Sequence, residues 1–99
     1  MAKIVFTNKA KQDLQQIWNY TYDTWSEKQA DKYFEDIIAR CNNLEYNFER
    51  GKDYSKLIPN LKGVKCNRHI IFYRILAQQV IEIARILHEE MDIENHLIN

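Results

Sequence analysis

The sequence predicts an α+β fold: an N-terminal strand, an antiparallel helical hairpin, a three-stranded antiparallel sheet portion and a short C-terminal helix. Three observations carry this. Residues 68–92, RHIIFYRILAQQVIEIARILHEEMD, hold two β-branched and aromatic runs separated by Ala77, Gln78 and Gln79, a length suited to a hairpin. Ala30, Tyr33, Phe34, Ile37, Ile38, Cys41, Leu44 and Phe48 recur every three or four residues, the period of a helix. Ahead of them lies a second periodic stretch with a polar residue placed to cap it.

In chain order, Lys3–Phe6 reads as a short strand. Thr7 or Asn8 caps a helix over residues 9–23, with Leu14, Ile17, Trp18 and Thr21 inward and Asp13 on the wet side. Ser26 opens the longer helix, with Gln29 at the capping-box position. Gly51 ends it in a left-handed cap, giving a rod of about 36 Å. The short link makes the two helices antiparallel neighbours, and helical spacing assigns Trp18 and Phe34 to the core. Residues 52–60, with Pro59, form a loop, and residues 60–65 a strand or the approach to one. Pairing Leu76 with Val80 sets Arg74 opposite Glu82 and Phe72 opposite Ala84, so that opposite charges face one another. Met91, Ile93, Leu97 and Ile98 form the final helix.

Ninety-nine residues make one domain, 1–99, with one core. The formal net charge is zero, but the distribution is uneven. From Arg50 to Arg74 seven cations face Asp53 alone, a net of +6 that the other segments balance. Such a basic middle fits an acidic partner or nucleic acid, or else a solvated Lys-rich loop. Cys41 and Cys66 are too few and too far apart for a disulfide framework or a metal site, and no signal peptide or membrane span is evident. The expected compartment is the cytoplasm.

No phosphate-binding Gly loop, HExxH, CxxC or GxSxG occurs, so neither cofactor nor metal is expected. Antiparallel pairing brings His69 and His88 near each other at one sheet edge, where two imidazoles can bind metal, serve as acid and base, or simply satisfy local hydrogen bonds, the last being the usual case. Arg68, Arg74 and Arg85 stud the strands, able to hold phosphate. The alternative is pairing, Arg74 with Glu82 and Arg85 with Glu90 or Asp92. Trp25, at the helix turn, is the candidate interface anchor.

These stretches resemble the ParE branch of the RelE/ParE toxin superfamily: IVFTNKAKQDLQQIWNY at 4–20, ADKYF at 30–34, HIIFYRI at 69–75 and IEIARILHEEMD at 81–92. The resemblance covers nearly the whole chain. It implies a bacterial toxin that poisons DNA gyrase by binding and is neutralised by a small DNA-binding antitoxin. On that reading the target surface comprises Lys62, Lys65, Arg68, Arg74, Arg85 and His88, and the antitoxin meets Trp25, the outer face of the helical hairpin and a sheet edge. RelE-type relatives instead cleave messenger RNA on the ribosome. A nuclease here would use Arg68, Arg74, Arg85 and His88, and direct nucleic-acid contact is expected only in that case. Glu89 and Glu90 follow His88, placing like charge where phosphate would approach. A non-toxic interaction domain of the same fold is the third reading.

Overall fold

The computed structural model describes residues 3–76 and 79–98. Its elements are β1 (Lys3–Phe6), α1 (Asn8–Thr24), α2 (Glu27–Asn47), a 3₁₀ turn (Phe48–Arg50), β2 (Lys52–Asp53), β3 (Leu61–Cys66), β4 (His69–Leu76), β5 (Val80–His88) and α3 (Ile93–Ile98). The strands form one mixed sheet in the order β1-β5-β4-β3-β2. β3, β4 and β5 are the expected antiparallel portion. β1 adds to β5 in parallel, which is possible because α1, α2 and the later strands supply a long crossover.

The starts of α1 and α2 are capped by hydroxyl oxygens. Thr7 Oγ1 accepts from the Ala10 N–H at 3.0 Å and Ser26 Oγ from the Gln29 N–H at 3.1 Å. The Thr7 hydroxyl also donates to the Ala84 carbonyl at 2.8 Å, so this cap ties α1 to β5.

The end of α2 differs from expectation. Gly51 has φ −65°, not a left-handed value, and the helix tightens into the 3₁₀ turn before it. Glycine is required there for space: a Cβ on Gly51 would collide with the Tyr73 hydroxyl. That hydroxyl donates to the Phe48 carbonyl at 2.6 Å and pins the end of the helix to the sheet.

The register holds at Leu76↔Val80 and Arg74↔Glu82, then departs. A bulge lies between Phe72 and Tyr73, so Phe72 stands opposite Arg85 and not Ala84. The reason lies in β5. Ile81, Ile83 and Ile86 all join the core beneath the helices, and strict alternation cannot place 83 and 86 on one face. One extra residue, Ala84, resolves the conflict. Of the connecting loop, Gln79 has φ +61°, and Ala77 and Gln78 lie outside the described residues.

The main core joins Ala10, Leu14, Ile37, Cys41 and Leu44 of the helices to Val64, Ile71, Tyr73, Ile81, Ile83 and Ile86. The opposite sheet face carries a smaller cluster, Leu61, Phe72 and Leu87, covered by Tyr54 and Ile58 on one side and by Ile93 and Leu97 of α3 on the other. Two sequence expectations are corrected here. Trp18 is only partly buried and Phe34 is 37% exposed, because each helix has an apolar stripe wider than the sheet can cover. Asp13 is 6% exposed, not on a wet face.

Gly51→Ala should lower stability by about 1–3 kcal/mol through overpacking. Adding Tyr73→Phe, which removes the colliding hydroxyl, should recover part of that loss. Urea unfolding of the two variants checks both.

Candidate functional site

Three parts of the surface carry unusual chemistry. The first is a groove of about 520 Å³ on the outer side of the helical hairpin, lined by Lys11, Leu14, Gln15, Trp18, Asp31 and Phe34. The apolar spacing that buries Ala10, Leu14 and Thr21 leaves Trp18 and Tyr22 on the flank facing α2, where their rings stack with centroids 5.2 Å apart. Trp18 Nε1 donates to Asp31 Oδ1 at 3.0 Å and joins the two helices across the groove. Trp25, 74% exposed, stands at the C-cap of α1. A large aromatic surface open to water at a helix end suits an interface anchor.

The second part lies at the end of the sheet where β3 turns into β4 and β5 stops. His69 and His88, expected near each other, have ring centroids 5.2 Å apart; the bulge makes them register partners, where the unbulged register sets His69 opposite Leu87. His69 Nδ1 lies 2.7 Å from the Tyr33 hydroxyl, and Tyr33 also accepts from the Arg68 N–H at 3.4 Å. Burial, reinforced by the neighbouring His88, pushes the His69 pKa down to about 4, so its ring is neutral near pH 7. The Tyr33 hydroxyl and His69 Nδ1 share one hydrogen bond, whose direction follows the imidazole tautomer. Burial also raises the Tyr33 pKa. Lys65 pairs with Glu89 at 2.9 Å, and the hydrogen bond from Lys65 holds the Glu89 carboxyl below its usual range. His88 Nδ1 accepts from the Glu90 N–H at 3.1 Å.

The third part is a clamp around Arg85. Its Nε and Nη2 donate to the two oxygens of Asp13 at 2.8 and 3.0 Å, and Nη1 donates to the His96 carbonyl at 2.9 Å. Asp13 Oδ2 also accepts from the Ile86 N–H at 2.9 Å. Arg85 therefore joins α1, β5 and α3. The expected partners, Glu90 or Asp92, are not used, because α3 presents its backbone carbonyl to this arginine. Hydrogen bonding to Asp13 raises the Arg85 pKa further still.

The six residues expected to form one basic surface do not come together. Lys65, Arg68 and His88 share the sheet end; Arg74 pairs with Glu82 at 2.7 Å farther along the sheet; Lys62 lies beside β2; Arg85 is locked in its clamp. Sequence reasoning missed Asp13 and Tyr33 as partners. Asp13 was detectable, standing three residues after Ala10 and four before Ile17 on the inward stripe. Tyr33 belongs to the recognised α2 stripe, but its pairing with His69 depends on how α2 crosses the sheet. Among the described residues no three His, Cys, Asp or Glu side chains group to hold a metal ion. Both thiols are buried, and burial pushes Cys41 up to about 12, far from reactive thiolate.

Comparison with known proteins places this geometry. Residues 4–93 match the family model described as the ParE toxin of type II toxin–antitoxin systems, parDE. Toxin ParE1 of Mycobacterium tuberculosis is 26% identical over 96 residues, covering 97% of this chain and 98% of that protein. Toxin ParE of Escherichia coli is 34% identical over 100 residues, covering 98% and 94%. A solved structure described as a chromosomal ParDE TA system from P. aeruginosa superposes with a TM-score of 0.78 at 22% identity, over 91% of this chain and 98% of the other.

Two outcomes follow from the geometry. Arg85→Met leaves the Asp13 carboxylate buried without its partner and should cost about 3–5 kcal/mol in chemical unfolding. His69 titrates near 4 when folded and near 6.5 when unfolded, so the unfolded chain binds the extra proton between these values. Stability should therefore fall as pH drops from 6.5 toward 4, and His69→Phe should flatten that slope in urea titrations at stepped pH.

Proposed function

As the chain belongs to the family of ParE toxins of type II toxin–antitoxin systems, we propose that it poisons DNA gyrase by binding and that a cognate antitoxin holds it inactive. The observation that carries this over messenger RNA cleavage is the state of the cations. Lys65, Arg74 and Arg85 are engaged by Glu89, Glu82 and Asp13. Metal-independent phosphoryl transfer depends on preorganised cations aimed at developing charge, and cations already neutralised by carboxylates are poorly placed for it. His88 lies beside Glu89 and Glu90, which favours binding over phosphate chemistry.

The aromatic groove between α1 and α2 supports an antitoxin that lays an amphipathic segment along the hairpin, with Trp25 as an anchor at its end. For the gyrase contact we assign the sheet end formed by Lys65, Arg68 and His88. Arg68 is exposed there, and the Tyr33–His69 network stiffens the turn that presents it. Lys62, Arg74 and Arg85 lie apart from this end. No helix among the described residues is long and apolar enough to cross a membrane. A toxin acting on gyrase would do so in the cytoplasm.

The test uses purified gyrase, ATP and relaxed plasmid. Near-stoichiometric toxin should abolish supercoiling and trap DNA breaks, and Arg68→Glu should weaken this about tenfold or more, the scale of a lost charged interface contact. Full gyrase activity in the presence of folded wild-type toxin contradicts the reading.

A further inference from the structure

The fold sorts the basic segment. Of its seven cations, Lys65 and Arg74 are paired with Glu89 and Glu82, and Arg68 stands at the turn between β3 and β4. The remaining four, Arg50, Lys52, Lys56 and Lys62, lie on or next to the open edge at β2, with Lys52 and Lys62 flanking that edge on opposite faces of the sheet. Arg50 closes the 3₁₀ turn that leads into β2, and Lys52 is the first residue of β2. Lys62 belongs to the register pair of Asp53, and Lys56 follows in the next loop. Arg50, Lys52 and Lys56 are exposed, and Lys62 is partly so. Among the described residues none of the four forms an ion pair. Asp53 is the nearby carboxylate: it accepts from the Ser55 N–H at 2.8 Å, and the charges of Lys62 and Lys56 help that bond hold its carboxyl below the usual range without closing an ion pair. The Lys52 ammonium lies 5.4 Å from the centre of the Tyr54 ring, and that ring packs against Phe72, so this charge stands on a fixed platform.

Lysine on an edge strand is also a guard against unwanted strand pairing. That role needs Lys52 alone on an edge two residues long. It does not account for Arg50 before the strand, or for Lys56 and Lys62 after it.

We infer that this edge is a docking surface for the phosphate backbone of double-stranded DNA, with Arg50, Lys52, Lys56 and Lys62 each able to neutralise a phosphate. The neutral total charge does not oppose this at short range. At 0.1 M salt the screening length is about 10 Å, so a duplex lying against this edge senses the local cations more than the acids on distant parts of the molecule. Contacts to the phosphate backbone position a protein on the duplex without reading its sequence. This docking goes beyond the gyrase reading and does not depend on it, although a toxin acting on a DNA-bound enzyme would gain affinity from touching that DNA.

The experiment is fluorescence anisotropy of a labelled 30-base-pair duplex of arbitrary sequence, titrated with full-length toxin between about 50 and 200 mM salt. Three or four phosphate contacts predict that log K falls with log salt at a slope of about −3 to −4. Lys52→Glu/Lys56→Glu/Lys62→Glu should weaken binding about tenfold or more at the lowest salt, with an unchanged circular dichroism spectrum. Lys28→Glu/Lys32→Glu, on α2, should bind as wild type. No binding at the lowest salt overturns the inference, as does equal binding by the edge variant. If the edge variant instead loses only its antitoxin, the cations serve an acidic protein segment and DNA is excluded. Gyrase inhibition is read separately, so either proposal can fail alone.

Discussion

The carboxylate of Asp13 is the constraint on which the assembly depends. β1 pairs with β5 only as far as Phe6 and Ile83, and beyond that point β5 has lost its parallel neighbour. The Ile86 N–H in this stretch is met by Asp13 Oδ2. An unsatisfied amide there would carry a desolvation cost of about 1–3 kcal/mol. The same carboxylate receives two bonds from Arg85, whose third contact holds the last turn of the chain through the His96 carbonyl. A helix of six residues has little stability of its own. α3 stays in place because Arg85 grips its backbone and because Ile93 and Leu97 cover Leu87 and Phe72.

The bulge at Ala84 belongs to the same arrangement. It turns Ile86 to the helices while leaving Ile83 there, and it places Arg85 between α1 and α3. It also explains where sequence reasoning stopped. Alternation in β5 and the three-to-four spacing of α2 were strong enough to give the two long helices, the hairpin, the Arg74–Glu82 pair and the nearness of His69 and His88, whereas β2 at Lys52–Asp53 lies in the stretch read as a loop, too short to show a period. A bulge changes parity by one residue and leaves no mark in composition, so the partners of Phe72 and Arg85 were misassigned. The Gly51 expectation failed for a related reason. A glycine after a helix resembles a left-handed cap, whereas its necessity here comes from Tyr73, 22 positions later in the chain. The ParE resemblance in HIIFYRI and IEIARILHEEMD was readable from the residues and stands with the family match over residues 4–93.

The candidate basic surface was the least legible part, because charge in a sequence carries no information about pairing. Three of its arginines and lysines are engaged by carboxylates. What remains available divides into separate regions: an aromatic groove on the hairpin, a sheet end stiffened by Tyr33 and His69, and a cationic edge at β2. That separation fits a protein that acts by contact, since a toxin must present one surface to its target and leave another by which its antitoxin captures it. The half-buried His69, neutral near pH 7 and hydrogen-bonded to Tyr33, is consistent with this division, since it holds the turn between β3 and β4 in place.

The central claim is that this member of the ParE family acts on DNA topology and not on messenger RNA. The most direct measurement follows both in the same cells after the chain is induced without an antitoxin: the supercoiling of a reporter plasmid on chloroquine gels, and the integrity of a reporter message by primer extension. The account predicts that the plasmid relaxes while the message stays whole. Cleavage of the message with supercoiling unchanged would contradict it.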